Sequence, residues 1–353
     1  MQPSVDVTPQ RILIVLHGSI GDVTRALPLA DLLRKKFPQA FLAWSIEPLC
    51  FPLLQQNPAI DEIIVFDRAH DWRKAHGFLA RVRRGKFDLV LDLQRVFKSG
   101  FISWWSGSAM RIGFHRRDAK ELNWIFNNRH IPACGDGIPK LEHYLKFADY
   151  LGIERCPLEW DFHLTADERA SVDRLLGQDS RAFAVLFVGT RWESKQWFPA
   201  QIAQCADRLQ RRHGLDVVLL GAQDDLDLAN EACALSGVRL INLVGRTSLR
   251  EAIGIIQRAR LAVGPDTGLM HIAAAVKTPV ISLWGATRPE RTGPHGFARL
   301  VIQGAAPCVP CGRRECTIGR LCMRSITIEQ IDGKIRQALE YKRAEPIYHA
   351  SGE

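Results

Sequence analysis

Short, nearly continuous apolar runs recur along the 353-residue chain. They lie at 11–16, 41–44, 62–66 and 87–92, and again at 182–188, 216–221, 239–243, 262–264 and 279–284, with patterns of helical period between them. A strand buried on both faces shows no polar alternation, and such strands belong to parallel sheets covered by helices on both sides. The pattern predicts an α/β chain with two Rossmann-like, doubly wound domains facing a cleft where ligands of such sheets bind. Between Tyr150 and Thr165 the pattern breaks around Gly152 and Pro157, which marks a connection. The expected domains are therefore 1–155 and 156–326. Residues 327–343 open on Thr327 and carry apolar positions at 328, 331, 335, 338 and 339, predicting a final amphipathic helix before a loose tail at 344–353. No internal sequence repeat is visible.

Composition narrows the partners. No stretch is long and apolar enough to span a membrane, and the opening residues lack the basic flank and apolar core of a secretory signal, so a cytoplasmic protein is expected. The formal charge is +9, and residues 68–129 hold the whole excess, with 14 Lys/Arg against 5 Asp/Glu. Interleaved there are Trp72, Phe78, Trp104, Trp105, Phe114, Trp124 and Phe126. Cations among rings suit an anionic partner, whether lipid phosphates, a sugar phosphate or single-stranded nucleic acid, and equally suit solvated helix faces over buried aromatics. No nucleic-acid-binding signature accompanies them.

Three loops follow strands and carry chemistry. In residues 17–28, Gly18 and Gly21 allow a tight turn and Asp22 falls at a helix start. It is either a helix-capping aspartate or a cleft-facing general base for a substrate hydroxyl. The loop lacks the third glycine of a dinucleotide fingerprint, which argues against a dehydrogenase. In residues 188–199, Thr190, Arg191 and Lys195 offer donors for a phosphate. In residues 264–275, Asp266 or Thr267 caps a helix whose start, with Gly268 allowing close approach, suits a diphosphate. His271 in the same element is either a buried histidine or a ligand contact. Asp225, after another strand, is placed to accept from ribose hydroxyls or to serve as a helix-start carboxylate.

Gly18-Ser-Ile-Gly-Asp-Val23, Thr190-Arg-Trp-Glu-Ser-Lys195, Asp266-Thr-Gly-Leu-Met-His271 and Trp284-Gly-Ala-Thr287, in this order, resemble the ADP-heptose lipopolysaccharide heptosyltransferases over nearly the whole chain. Residues 87–99, 114–121 and 126–129 resemble the type I enzymes of that family. The resemblance implies a GT-B fold and inverting transfer of L-glycero-D-manno-heptose from ADP-heptose to Kdo of Kdo-lipid A, with no metal or other cofactor required. It implies an acceptor-binding N-terminal domain and a nucleotide-sugar-binding C-terminal domain. Asp22 matches the general base, Lys195 with Thr190 and Thr267-Gly268 the groups around the leaving diphosphate, and Asp266 with His271 the donor-sugar element. Asp225, with Glu251 as a second candidate, is the ribose contact.

Acceptor contacts are expected from Gln94, Lys98, Arg116, Arg117 and Lys120, on a protein peripheral to the inner face of the inner membrane. Arg95 stands where the family pattern Asp-x-Gln-Gly-x-x-Lys has glycine. Heptosyltransferase II activity and a GT-B-shaped nucleotide-sugar epimerase are the alternatives. Cys308, Cys311, Cys316 and Cys322 form a C-x2-C-x4-C-x5-C cluster. Its readings are structural zinc, free or purification-oxidised thiols, and an iron–sulfur cluster.

Overall fold

A computed structural model describes residues 8–67, 72–177 and 181–341. The chain divides into two compact units, Met1–His163 with Glu290–Thr292, and Leu164–Pro289 with Gly293–Glu353. The first unit runs β1 (Arg11–Val15), α1 (Ile20–Lys36), β2 (Phe41–Ile46), β3 (Glu62–Val65), α2 (Trp72–Arg84), β4 (Leu89–Asp92), α3 (Phe97–Trp105), β5 (Met110–Gly113), β6 (Arg129–His130) and α4 (Lys140–Tyr150). The second runs α5 (Ala166–Leu176), β7 (Phe183–Phe187), α6 (Pro199–His213), β8 (Asp216–Leu220), α7 (Leu226–Leu235), β9 (Leu240–Asn242), α8 (Leu249–Arg258), β10 (Leu261–Pro265), α9 (Gly268–Ala275), β11 (Val280–Trp284) and β12 (Val301–Gln303), then a terminal helix over Ile328–Glu340.

Each unit holds one six-stranded sheet, ordered β3-β2-β1-β4-β5-β6 and β9-β8-β7-β10-β11-β12. All the strand pairs are parallel, with Ile14 opposite Trp44 and Leu91, and Val185 opposite Val218 and Ala262. The two sheets thus share the Rossmann order 3-2-1-4-5-6 without sharing a sequence repeat. In each the order reverses beside the first strand, and the crevice at that reversal is where such sheets take ligands.

The apolar runs pack as their lack of alternation requires. In the first unit Leu13, Val15, Ala43, Ile64, Val90 and Ile102 form a core with Phe78, Val82 and Phe87. In the second, β7, β10 and β11 are buried along their whole length. Three strands were not anticipated. Met110–Gly113 carries an arginine, Arg129–His130 has two polar residues, and Val301–Gln303 has three residues. The terminal helix is capped at both partners of a capping box by Thr327 and Gln330 and ends at Glu340, before the expected 343. The expected tail lies outside the described residues.

Candidate active site

In the first unit the reversal lies between β1 and β4. Its two loops are tied together, because the His17 amide donates to Gln94 Oε1 at 2.8 Å. The chain enters α1 at Ser19, whose side chain makes no capping bond, and Asp22 sits in the first turn as its acidic residue. There the helix dipole favours a carboxylate. Arg25 Nη1 lies 2.7 Å and Lys140 Nζ 2.5 Å from Asp22 Oδ1, and the Ser19 hydroxyl lies 3.4 Å from Oδ2. Burial works to raise the Asp22 pKa, but Lys140 and Arg25 outweigh it and hold the carboxyl below its ordinary value. Burial, reinforced by the charge of Asp22, keeps the neighbouring Tyr144 phenol protonated.

Asp22 is therefore an ionised carboxylate between two cations rather than a side-chain cap. Arg25, three residues on along the helix, was open to inference from spacing. Lys140 and Tyr144, on α4 and 118 and 122 residues away in sequence, were not.

The expected acceptor residues fall into two groups. Gln94 points its carbonyl at the His17 amide and organises the crevice. Lys98, Arg116, Arg117 and Lys120 are exposed, and Lys98 Nζ stands 4.9 Å from the Phe66 ring centroid. The interleaved aromatics also separate. Phe78 and Phe114 are buried, whereas Trp104, Trp105 and Trp124 are exposed beside Leu122 and Ile125. Phe126 is half-buried and packs edge-on against Phe97 and Phe101. The Trp72 side chain lies outside the described residues. Beneath this surface Asp92 is fully buried and accepts from Asn123 at 2.6 Å and Asn127 at 3.1 Å. That network, which the sequence did not reveal, fixes the end of β4 to the turn at Asn123–Phe126.

In the second unit the reversal lies between β7 and β10, and an ion pair ties its loops. Lys195 Nζ meets Asp266 Oδ2 at 2.7 Å and lies 4.2 Å from the Trp192 ring centroid. Thr287, after β11, donates to the same Asp266 oxygen at 2.8 Å. Thr267 precedes α9 without a side-chain capping bond, and the first turn from Gly268 carries no acid. His271 is buried one turn further on. Thr190 Oγ1 donates to the Trp192 carbonyl at 2.7 Å, shaping the loop, and Arg191 is exposed.

Asp225 accepts from the Ala222 amide at 2.9 Å, and burial raises its pKa. Its carboxylate occupies the space a Cβ at Gly189 would take, with the nearest atoms 1.8 Å from that position. Only glycine fits there, so Asp225 closes on the loop after β7. Glu251 is occupied in the capping box of α8 and by the Ser171 hydroxyl at 2.6 Å.

All four cysteines of the cluster are free thiols, Cys308 exposed and Cys322 buried. Their stretch is pinned instead to the turn that carries Lys195: Ser194 Oγ donates to the Arg313 carbonyl at 2.6 Å, and the Cys316 amide to Glu193 at 2.9 Å. Among the described residues no three His, Cys, Asp or Glu side chains are placed to hold a metal ion, while burial, together with the charges of Cys308, Cys316 and Cys311 that reach it, raises the pKa of the Cys322 thiol. Among them, too, no helix is long and apolar enough to cross a membrane.

Residues 76–321 match the family described as glycosyltransferase family 9 (heptosyltransferase). The chain is 25% identical over 307 residues to the lipopolysaccharide core heptosyltransferase OpsX of Haemophilus influenzae, covering 85% of this chain and 86% of that one. It is 28% identical over 321 residues to lipopolysaccharide heptosyltransferase 1 of Pseudomonas aeruginosa, covering 87% of each. The solved ADP-heptose lipopolysaccharide heptosyltransferase II of Escherichia coli superposes with a TM-score of 0.76 at 23% identity, covering 93% of this chain and 98% of that one, which gives the paired sheets the GT-B fold. The chain belongs to glycosyltransferase family 9, the heptosyltransferases.

Proposed function

We propose that this glycosyltransferase moves L-glycero-D-manno-heptose from ADP-heptose to a Kdo hydroxyl of Kdo-lipid A, inverting the anomeric centre, as heptosyltransferase I. The observation that carries the reading is Asp22, a carboxylate kept ionised by Lys140 and Arg25 at the sheet reversal of the first unit. It accepts the proton of the acceptor hydroxyl as that oxygen bonds to the anomeric carbon and the bond to ADP breaks. A carboxylate of lowered pKa is a weak base at rest, so the proton moves late, once the attacking oxygen has become acidic.

Charge growing on the leaving diphosphate is met by Lys195 and by the uncapped amides of α9 from Gly268. In this reading Asp266 orients Lys195 and, with His271, faces the donor sugar, while Thr190 and Arg191 flank the diphosphate and Asp225 takes the ribose. No resident metal or nucleic acid takes part.

The exposed Trp104, Trp105, Trp124, Leu122 and Ile125 beside Lys98, Arg116, Arg117 and Lys120 support a peripheral seat on an anionic membrane surface, the cytoplasmic side of the inner membrane. Rings enter such an interface while cations meet lipid phosphates.

The test incubates the protein with ADP-heptose, with and without Kdo-lipid A, and follows ADP release. Release only with Kdo-lipid A supports the reading. Release only with an acceptor already bearing one heptose identifies heptosyltransferase II, and acceptor-independent conversion of the donor identifies an epimerase.

A further inference from the structure

Arg95 follows β4 in the crevice loop of the first unit and has φ +71°, a left-handed conformation that favours glycine and costs a side-chain-bearing residue about 1 kcal/mol or more. Such outliers concentrate where a side chain is needed in one place. The guanidinium lies 4.3 Å from the Phe114 ring centroid and donates from Nη2 to His143 Nδ1. Stacking on a buried ring fixes its plane.

His143 is fully buried, and burial together with the Arg95 charge pushes its pKa down to about 4. It is therefore neutral at physiological pH, accepting through Nδ1. His143 sits on α4 three residues after Lys140, on the same helix face, and Lys140 holds Asp22. Among the described residues no carboxylate pairs with Arg95. The nearby Asp118 is engaged by the Cys134 and Gly135 amides at 2.7 and 3.0 Å. Lys140 feels the charge of Arg95 as well as that of Asp22, so an anion bound beside Arg95 would enter a cationic surrounding.

We propose that Arg95 is the binding site for the carboxylate of a sugar-acid acceptor. The inference rests on the function proposed above and adds the group that orients the acceptor. In a sugar acid the carboxylate and the attacking hydroxyl belong to one residue, so a carboxylate site has to lie within about one sugar of the base. Arg95 bonds His143, which lies one helix turn along α4 from Lys140, the lysine that holds Asp22. A guanidinium of fixed plane presents paired N–H donors that match a carboxylate, which a lysine at the same place would not.

The test compares the native chain, Arg95→Gly and Arg95→Lys, using Kdo-lipid A and a phosphate-free Kdo glycoside. Glycine suits φ +71°, so the thermal midpoint should stay within a few degrees. The expected result for Arg95→Gly is an acceptor KM raised tenfold or more with both acceptors and a donor KM changed less than twofold, with Arg95→Lys recovering part of the loss. Transfer by the native chain with an unchanged acceptor KM in Arg95→Gly would overturn the inference and leave the function standing. So would a penalty confined to the phosphorylated acceptor, or donor and acceptor KM rising together with a lowered midpoint. A native chain that transfers heptose to neither acceptor would overturn both.

Discussion

The two sheets of this chain have the same strand order and the same kind of reversal, yet their crevices carry opposite electrostatic arrangements. In the first unit the helix start after β1 is occupied by its own carboxylate, Asp22, which two cations then surround. In the second unit the helix start after β10 is left without a side-chain cap or an acid in its first turn, and the carboxylate just before it, Asp266, is drawn to Lys195 and Thr287. A helix start filled by its own anion presents that anion as a base. One left open presents amides to somebody else's anion. A shared topology therefore supplies two positions, and the first-turn residues decide which partner each receives.

This contrast can be broken at each end. The largest of the effects considered next is expected for Lys195→Ala, which removes the cation facing the leaving group and should lower kcat by about 10²–10³-fold. A steady-state assay at saturating donor checks it, and a loss confined to donor KM would mean that Lys195 only binds.

Next comes Lys140→Met. Asp22 lies below its ordinary carboxylate value because Lys140 and Arg25 outweigh burial. It stays ionised as pH falls until that lowered value is crossed, and the stability its ion pairs contribute is fully present above the unfolded value and is lost as pH falls through the lowered one. With one cation gone and burial retained, the pKa should rise. The acid limb of kcat/KM should then move to higher pH. A limb that stays in place would show that Lys140 does not set the base.

The smallest effect is expected for Lys98→Ala with Arg117→Ala. Both are exposed, and each exposed cation is worth little and is screened by salt. Acceptor KM should rise severalfold at low salt and converge with the native value at high salt while donor KM holds. Equal changes in both constants would remove these residues from the acceptor surface.

How far the sequence reached follows from which interactions are local. β1, β2, β7 and β8 were legible because strands covered on both faces are written as apolar runs. β5, β6 and β12 were not, since edge or short strands carry polar residues and are held by their neighbours' ladders. Asp22, Lys195 and Asp266 could be singled out because each falls in the segment that follows a strand.

What they touch was less visible. Arg25 lies within one helix turn, but Lys140 meets Asp22 only because α4 packs on α1, and Thr287 reaches Asp266 from another strand. The cysteine spacing left a metal and free thiols both open, and the hydrogen bonds that tie that stretch to Glu193 and Ser194 were not legible from spacing. Arg95 was legible as a departure from glycine. Its positive φ and its place against Phe114 and His143 needed coordinates.

The most direct measurement pairs turnover with nucleotide affinity in Asp22→Ala. ADP release from ADP-heptose in the presence of Kdo-lipid A should fall by about 10²–10⁴-fold, the range for loss of a general base, while ADP affinity changes less than twofold. Turnover at the native rate in a folded Asp22→Ala protein would contradict the assignment of the base, and with it the proposed transfer mechanism.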